Sequence, residues 1–233
     1  MDIEILSNYL DTYRGRDKIL STLSYIAKLA TVVTTSEITE NKLKIFSSKI
    51  SECRVALRLL DDLPTFHYAT KYKWGKQESD WFIRSIELIQ IGVNMIFCPI
   101  EHICWAGENK IVSLNSKLWN NVIIWFWVVS LHLSLTKSLR KLSRLKLNES
   151  QGNGMCENSN SEAKESINRD IQEELLTCLC LLLDITYAVN YLPSGVLWGG
   201  FLKTWHVGAL GTISCCVSVY RALHQRVMQK KKL

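Results

Sequence analysis

Turn-forming residues are scarce in this chain: three prolines and eleven glycines in 233 residues. Few turns exclude an architecture of many short strands. Hairpin dipeptides such as Asn-Gly flanked by alternating apolar residues are missing outside residues 149–170. None of the eight cysteines forms a Cys-x-x-Cys pair, which excludes a zinc ribbon and a thioredoxin-type redox motif. There is no glycine-rich phosphate loop, no nucleophile elbow and no His-Glu-x-x-His, so neither catalysis nor a cofactor is expected. The first residues, MDIEILSNYLDTYRGRDK, carry early acids and no continuous apolar core, unlike a secretory signal peptide. The cysteines are then expected to be reduced thiols facing cytosol or bilayer. A broad basic surface is lacking too. The net charge of +6 falls almost entirely on Arg221, Arg226, Lys230, Lys231 and Lys232, so nucleic acid is not an expected partner.

What is present is apolar and helical. The chain is 47% hydrophobic and 21% charged with a mean hydropathy near zero, which suits a protein partly in and partly on a membrane. Leu118 to Thr136 has no charge. At ~1.5 Å per residue it covers about 28 Å of the ~30 Å hydrocarbon core of a bilayer. Lys137, Arg140, Lys141 and Arg144 follow at helical spacing on one face, placed to meet anionic headgroups. A buried core helix with a solvated end is the alternative, supported by Asn120, Asn121, Ser130, His132 and Ser134. A second span is expected at Thr204 to Tyr220, where Gly208 and Gly211, preceded by Gly195 and Gly199, provide small residues for close helix packing in lipid. Leu88 to Ile100 is too short to span and ends where Pro99 breaks the helix. Trp105, Trp119, Trp198 and Trp205 lie near the ends of these segments, as interfacial tryptophans do.

The stretch from Lys42 to Leu60 places Leu43, Phe46, Ile50, Cys53, Leu57 and Leu60 on one helical stripe. Lys44, Arg54 and Arg58 flank it on one side, Lys42 and Lys49 on the other. Cations on both edges of an apolar stripe suit insertion among lipid tails with the charges reaching phosphates. Val55 and Leu59 on the far side suit packing in a bundle instead, and the spacing leaves both open. Asp61-Asp62-Leu63-Pro64 ends that helix. Ile19, Leu20, Leu23, Ile26, Ala27, Ala30 and Val33 hold one face of an earlier helix, which Gly15 separates from a short preceding one. Cys98, His102 and Cys104 lack a fourth ligand and have Pro99 between them, so they read as ordinary buried side chains.

The fold class expected is all-α: a membrane-associated helical bundle with amphipathic helices and one to three membrane-embedded helices. The expected regions are an amphipathic part (1–117), the apolar segment with its basic helix (118–147), a polar disordered linker (148–170) and C-terminal helices with a basic tail (171–233).

Several blocks together resemble the peroxisomal membrane protein 11 (peroxin-11) family, gamma type. They are Tyr13-Arg14-Gly15-Arg16-Asp17-Lys18, Cys53-Arg54-x-x-Leu57-Arg58-Leu59-Leu60-Asp61-Asp62-Leu63 and Glu101-His102-Ile103-Cys104-Trp105-Ala106-Gly107, then Leu192-Pro193-x-Gly195-Val196-Leu197-Trp198-x-Gly200 and Val207-Gly208-x-x-Gly211-Thr212-Ile213-Ser214. They occur in order across essentially the whole chain. The resemblance implies an integral peroxisomal membrane protein with both termini cytosolic, which elongates the organelle ahead of division by driving an amphipathic helix into one leaflet. It implies as partners anionic lipids, further copies and other family members, a dynamin-related GTPase with its membrane adaptor, and the import receptor for peroxisomal membrane proteins. A pore or carrier for small metabolites is the alternative function, but Asn120, Asn121, His132 and Ser134 are too scattered to line one. With spans at 118–136 and 204–220, both termini cytosolic would leave Lys137 to Lys146 in the lumen, against the positive-inside tendency. The final Lys230-Lys231-Lys232-Leu233 reads as a basic cytosolic tail in which a dilysine pattern offers coat binding.

Overall fold

A computed structural model describes residues 3–152 and 161–230. The described residues form eight helices and no strand: α1 (Ile3–Leu10), α2 (Tyr13–Ala30), α3 (Glu37–Arg58), α4 (Asp62–Tyr72), α5 (Trp81–Glu108), α6 (Ser116–Gly152), α7 (Ser161–Asn190) and α8 (Thr204–Lys230). Local chemistry sets several boundaries. The Thr12 hydroxyl caps α2 by accepting from the Gly15 N–H, so the break falls before Tyr13 and Gly15 lies inside the first turn. Glycine is required there because a Cβ would stand 1.9 Å from the Tyr9 carbonyl oxygen. Asp80 caps α5 in the same way through the Phe82 N–H. Pro64 does not keep the chain out of helix. It sits in the first turn of α4, where its missing N–H has no intrahelical partner to lose.

Two expectations are corrected. Pro99 does not break α5, which continues for 28 residues from Trp81 to Glu108. The ring points to the exposed side, and the long helix on either side absorbs one lost hydrogen bond. The linker at 148–170 is helical where it is described: α6 extends to Gly152 and α7 begins at Ser161, helped by the Glu165–Arg169 pair one turn apart. Residues 153–160, and 231–233 of the tail, lie outside the described residues.

Continuity through Pro99 changes which helices can cross a membrane. Among the described residues, α5 and α6 are long and apolar enough, at mean hydropathy 1.4 and 1.5. The segment 204–220 is not among them: Gly, Ser and Thr lower its hydropathy, and Gly208, Gly211 and Cys215 pack against α2. Helices α5 and α6 form an antiparallel hairpin with polar rungs: Arg140 with Asp80, Lys137 with Glu87, Gln90 with Ser130, and Cys104 with Asn120. Ser130 and Asn120, which interrupt the apolar run, are therefore cross-helix hydrogen-bonding groups.

The helices neighbour one another in a ring. Helix α5 packs on α6, α6 on α7, α7 on α8, α8 on α2 and α2 on α3, while α1 bridges α2 and α8 and α4 covers α5. Val128, Ile185, Ala188, Val189 and Leu192 form one apolar core between α6 and α7. Tyr25, Tyr187, Val207 and Cys215 form a second where α2, α7 and α8 meet. The first half of the chain is thus built into the second.

Candidate functional site

Outside the two apolar cores, the pattern of burial departs from that of a water-soluble bundle. Along α2, Ser21 and Ser24 are buried while Leu23 and Ile26 are exposed. The Ser24 hydroxyl meets the Ser47 and Ser51 hydroxyls of α3, so the α2–α3 contact is a serine seam. On α5, Ile89, Ile96 and Ile103 point outward; on α6, Leu118, Val122, Trp125 and Val129 do so. Only 17% and 11% of the apolar windows of α5 and α6 are buried by the rest of the protein. A core helix of a soluble protein would be mostly covered. Small polar residues inside and large apolar ones outside describe a surface that faces hydrocarbon. Trp105 and Trp119 stand at the loop end of the hairpin and Trp198 and Trp205 near the α7–α8 turn, with Trp81 exposed at the opposite end of α5. Trp81 and Trp105 are about 36 Å apart along the helix at ~1.5 Å per residue, close to the distance between the two interfaces of a bilayer.

The α3 stripe lies at the side of its contact with α2. Phe46 and Leu60 are exposed, at 51% and 76%, and Cys53 is exposed, whereas Leu43, Ile50 and Leu57 are half-buried. The cations flanking the stripe divide. Arg54 turns inward to Asp17 on α2 at 2.7 Å, and Arg58 reaches Glu101 on α5. Lys44 and Lys49 pair along α3 with Glu40 and Glu52. Lys42 makes no ion pair among the described residues. On α6, Lys137, Arg140 and Arg144 are held by Glu87, Asp80 and Glu78 at the base of the hairpin, while Lys141 stays exposed. The clamp carboxylates Glu78, Asp80 and Glu87 were not singled out from sequence. Their signal was an acid cluster opening an apolar helix, with bases in antiparallel register 50 to 66 residues on.

Asp80 is the hub of that clamp. Desolvation opposes its ionisation, but the Arg140 guanidinium and the backbone N–H groups of Phe82 and Ile83 outweigh it and hold the carboxyl below its ordinary 3.8. A carboxyl depressed in the fold contributes stability that is complete above its unfolded value and is lost as pH falls through the lower folded value. Thermal melts in detergent should therefore show the wild type losing stability below about pH 4 more steeply than Asp80→Asn. Parallel curves would assign Asp80 no part in the clamp.

The glycines also divide. Gly208 and Gly211 lie where α8 crosses α2: a Cβ at 208 would stand 2.3 Å from the Leu29 nitrogen, and one at 211 would stand 2.4 Å from the Tyr25 ring. Gly195 and Gly199 lie in the turn between α7 and α8 rather than on a helix face, Gly195 with φ of +96°. Of the Cys98, His102 and Cys104 group, His102 faces Asp62 and Cys104 donates to Asn120. No cluster of three metal-ligating side chains occurs among the described residues.

Residues 3–223 match the family model for peroxisomal biogenesis factor 11 (PEX11). The chain is 32% identical to peroxisomal membrane protein 11C of Homo sapiens over 223 residues, covering 93% of this chain and 92% of that one. It is 33% identical to peroxisomal membrane protein 11C of Mus musculus over 225 residues, 94% and 93% of the two. No solved structure matches it.

Proposed function

The chain belongs to the peroxisomal biogenesis factor 11 family of peroxisomal membrane proteins, linked to proliferation of the organelle, and from that premise we propose that it elongates the peroxisomal membrane by wedging α3 into one leaflet while the α5–α6 hairpin anchors it. The observation that carries this reading is the uncovered apolar surface: the hairpin along its length, Phe46 on α3 beside Lys42 and Lys49, and Leu60 just past the end of α3. An inserted stripe adds area to one leaflet and favours curvature. Headgroup contact then falls to Lys42, Lys44, Lys49 and Lys141, since Arg54, Arg58, Lys137, Arg140 and Arg144 serve the bundle. Partners in this reading are anionic lipids, further copies of the chain and the division machinery. Crossing by α5 and α6 also keeps Lys137 to Lys146 on the side of Glu78 and Asp80 at the start of α5, the cytosolic side in this orientation and in accord with the positive-inside tendency.

The test is Phe46→Glu with Leu60→Glu. Both side chains are more than half exposed, so little internal packing is lost, yet each glutamate puts a charge where lipid tails would lie. Overproduced in cells, the variant should reach peroxisomes and leave them round, where the parent elongates them. On the same organelles, added protease should remove a tag placed after Leu233 and spare one in the 109–115 loop. Undiminished elongation by the variant would remove α3 insertion from the mechanism, and digestion of the loop tag would remove the proposed orientation.

A further inference from the structure

The ring of helices is not filled. Three cavities lie along α2, of about 820, 380 and 540 Å³. The first, at the start of α2, has Arg14 and Arg226 against one acid, Asp61. The second is central, takes residues from α2, α3, α5, α6, α7 and α8, and has Lys18, Arg54 and Arg58 against Asp184. The third, at the end of α2, has Lys28 and Lys44 with no acid. Asn94 lines the first and second, and Tyr25 the second and third, so the cavities are adjacent through single shared side chains. Cations dominate all three. A charged interior behind an apolar exterior is costly in a membrane and marks a site.

Two donors in the centre make no hydrogen bond. The Arg58 Nε is buried without a hydrogen-bond partner, although the same guanidinium donates through Nη2 to Glu101. The Lys18 ammonium, which shares the cavity with Asp184, makes neither a hydrogen bond nor an ion pair among the described residues. A phosphate group has the charge and the acceptor oxygens to satisfy a lysine and an arginine fork together. We propose that this string of cavities takes a phosphate group, carried on a lipid headgroup or on a small solute, held at its centre by Lys18 and Arg58. A solute would enter along α2 from either end. A lipid would enter from the side, because α3 and α5 are not packed against each other and the Arg58–Glu101 pair bridges the seam between them. Releasing Glu101 would open that wall and turn the guanidinium toward phosphate in one step. This site is internal and stands whether or not α3 inserts into a leaflet.

The test uses the full-length protein in vesicles of phosphatidylcholine with a minor share of phosphatidylserine. One arm follows leaflet crossing of a headgroup-labelled phosphatidylcholine by its quenching with external dithionite. The other follows efflux of trapped inorganic phosphate. At least one rate should exceed that of protein-free vesicles, fall tenfold or more with Lys18→Gln, and return with Lys18→Arg. Crossing of the labelled lipid alone identifies the headgroup as the source; phosphate efflux alone identifies the solute. The Lys18 ammonium lies beside Asp184 without a hydrogen bond or ion pair among the described residues, and Lys18→Arg keeps that charge, so melts of both variants beside the parent separate lost transport from lost stability. Asn94→Leu, which narrows the passage between the first two cavities without removing a charge, is the second variant and should give the same loss. Neither rate above background, or both variants matching the parent, would overturn the proposal.

Discussion

Gly208→Leu is expected to separate α8 from α2 and to lower the melting temperature of the detergent-solubilised protein by about 10 °C. The added side chain would begin 2.3 Å from the Leu29 nitrogen and 2.7 Å from the Lys28 carbonyl carbon, and backbone atoms in a helix cannot step aside as a side chain can. Overpacking of a close helix crossing costs about 3 kcal/mol when the neighbours are rigid. The damage should spread along the crossing, because Tyr25 against Gly211 and Ser21 against Cys215 belong to the same contact. Gly92→Leu is the control. Gly92 lies on the exposed side of α5 with nothing within 4 Å of a Cβ, so the fold should tolerate it and gain helix propensity. Equal melting of Gly208→Leu and the parent would mean that α2 and α8 are not in contact in solution.

Arg58→Ala should destabilise the protein by about 2–3 kcal/mol, because it leaves the Glu101 carboxylate, 7% exposed, without its cation. Had Arg58 been a headgroup contact, its loss would weaken vesicle binding and the salt dependence of that binding while leaving the melt unchanged. The two outcomes separate cleanly. Removing both charges, as Arg58→Met with Glu101→Gln, should recover most of the lost stability, since a neutral pair carries no desolvation debt. A single variant that melts like the parent but leaves vesicles at lower salt would return Arg58 to the lipid surface. The Arg54→Ala variant should follow Arg58→Ala in direction with a smaller effect, both Arg54 and Asp17 being partly exposed.

These arginines show where sequence reading reached and where it stopped. Helical spacing gave the elements, and the charge-free run at 118–136 gave one crossing helix. Which face of each helix turns inward was not legible, because the rule that apolar residues point inward assumes water outside. Here Leu23 and Ile26 point out and Ser21 and Ser24 point in. Arg54 lies 37 residues from Asp17 and Arg58 lies 43 from Glu101, separations at which no local periodicity reports a contact. The second crossing helix was missed for a different reason. Pro99 and Glu101 made 88–100 look like a short broken segment, but the ring of the proline lies on an exposed face and the glutamate is neutralised by a helix from elsewhere in the chain. Gly208 and Gly211 were legible as packing positions, although α2, the helix they admit, was not.

The pairing of α2 with α8 also sets an order of events during synthesis. Ser21 meets Cys215 across 194 residues, so α2 leaves the ribosome long before the helix it packs on exists. The hairpin of α5 and α6 needs only its own loop and can form and enter a bilayer while the ring is open. Closure is a non-local contact with a large loop entropy to overcome, and such contacts form late. A chain that stops before α8 would expose the Ser21 and Tyr25 face of α2 with no partner, and the neighbouring copy of the same chain is the nearest source of one.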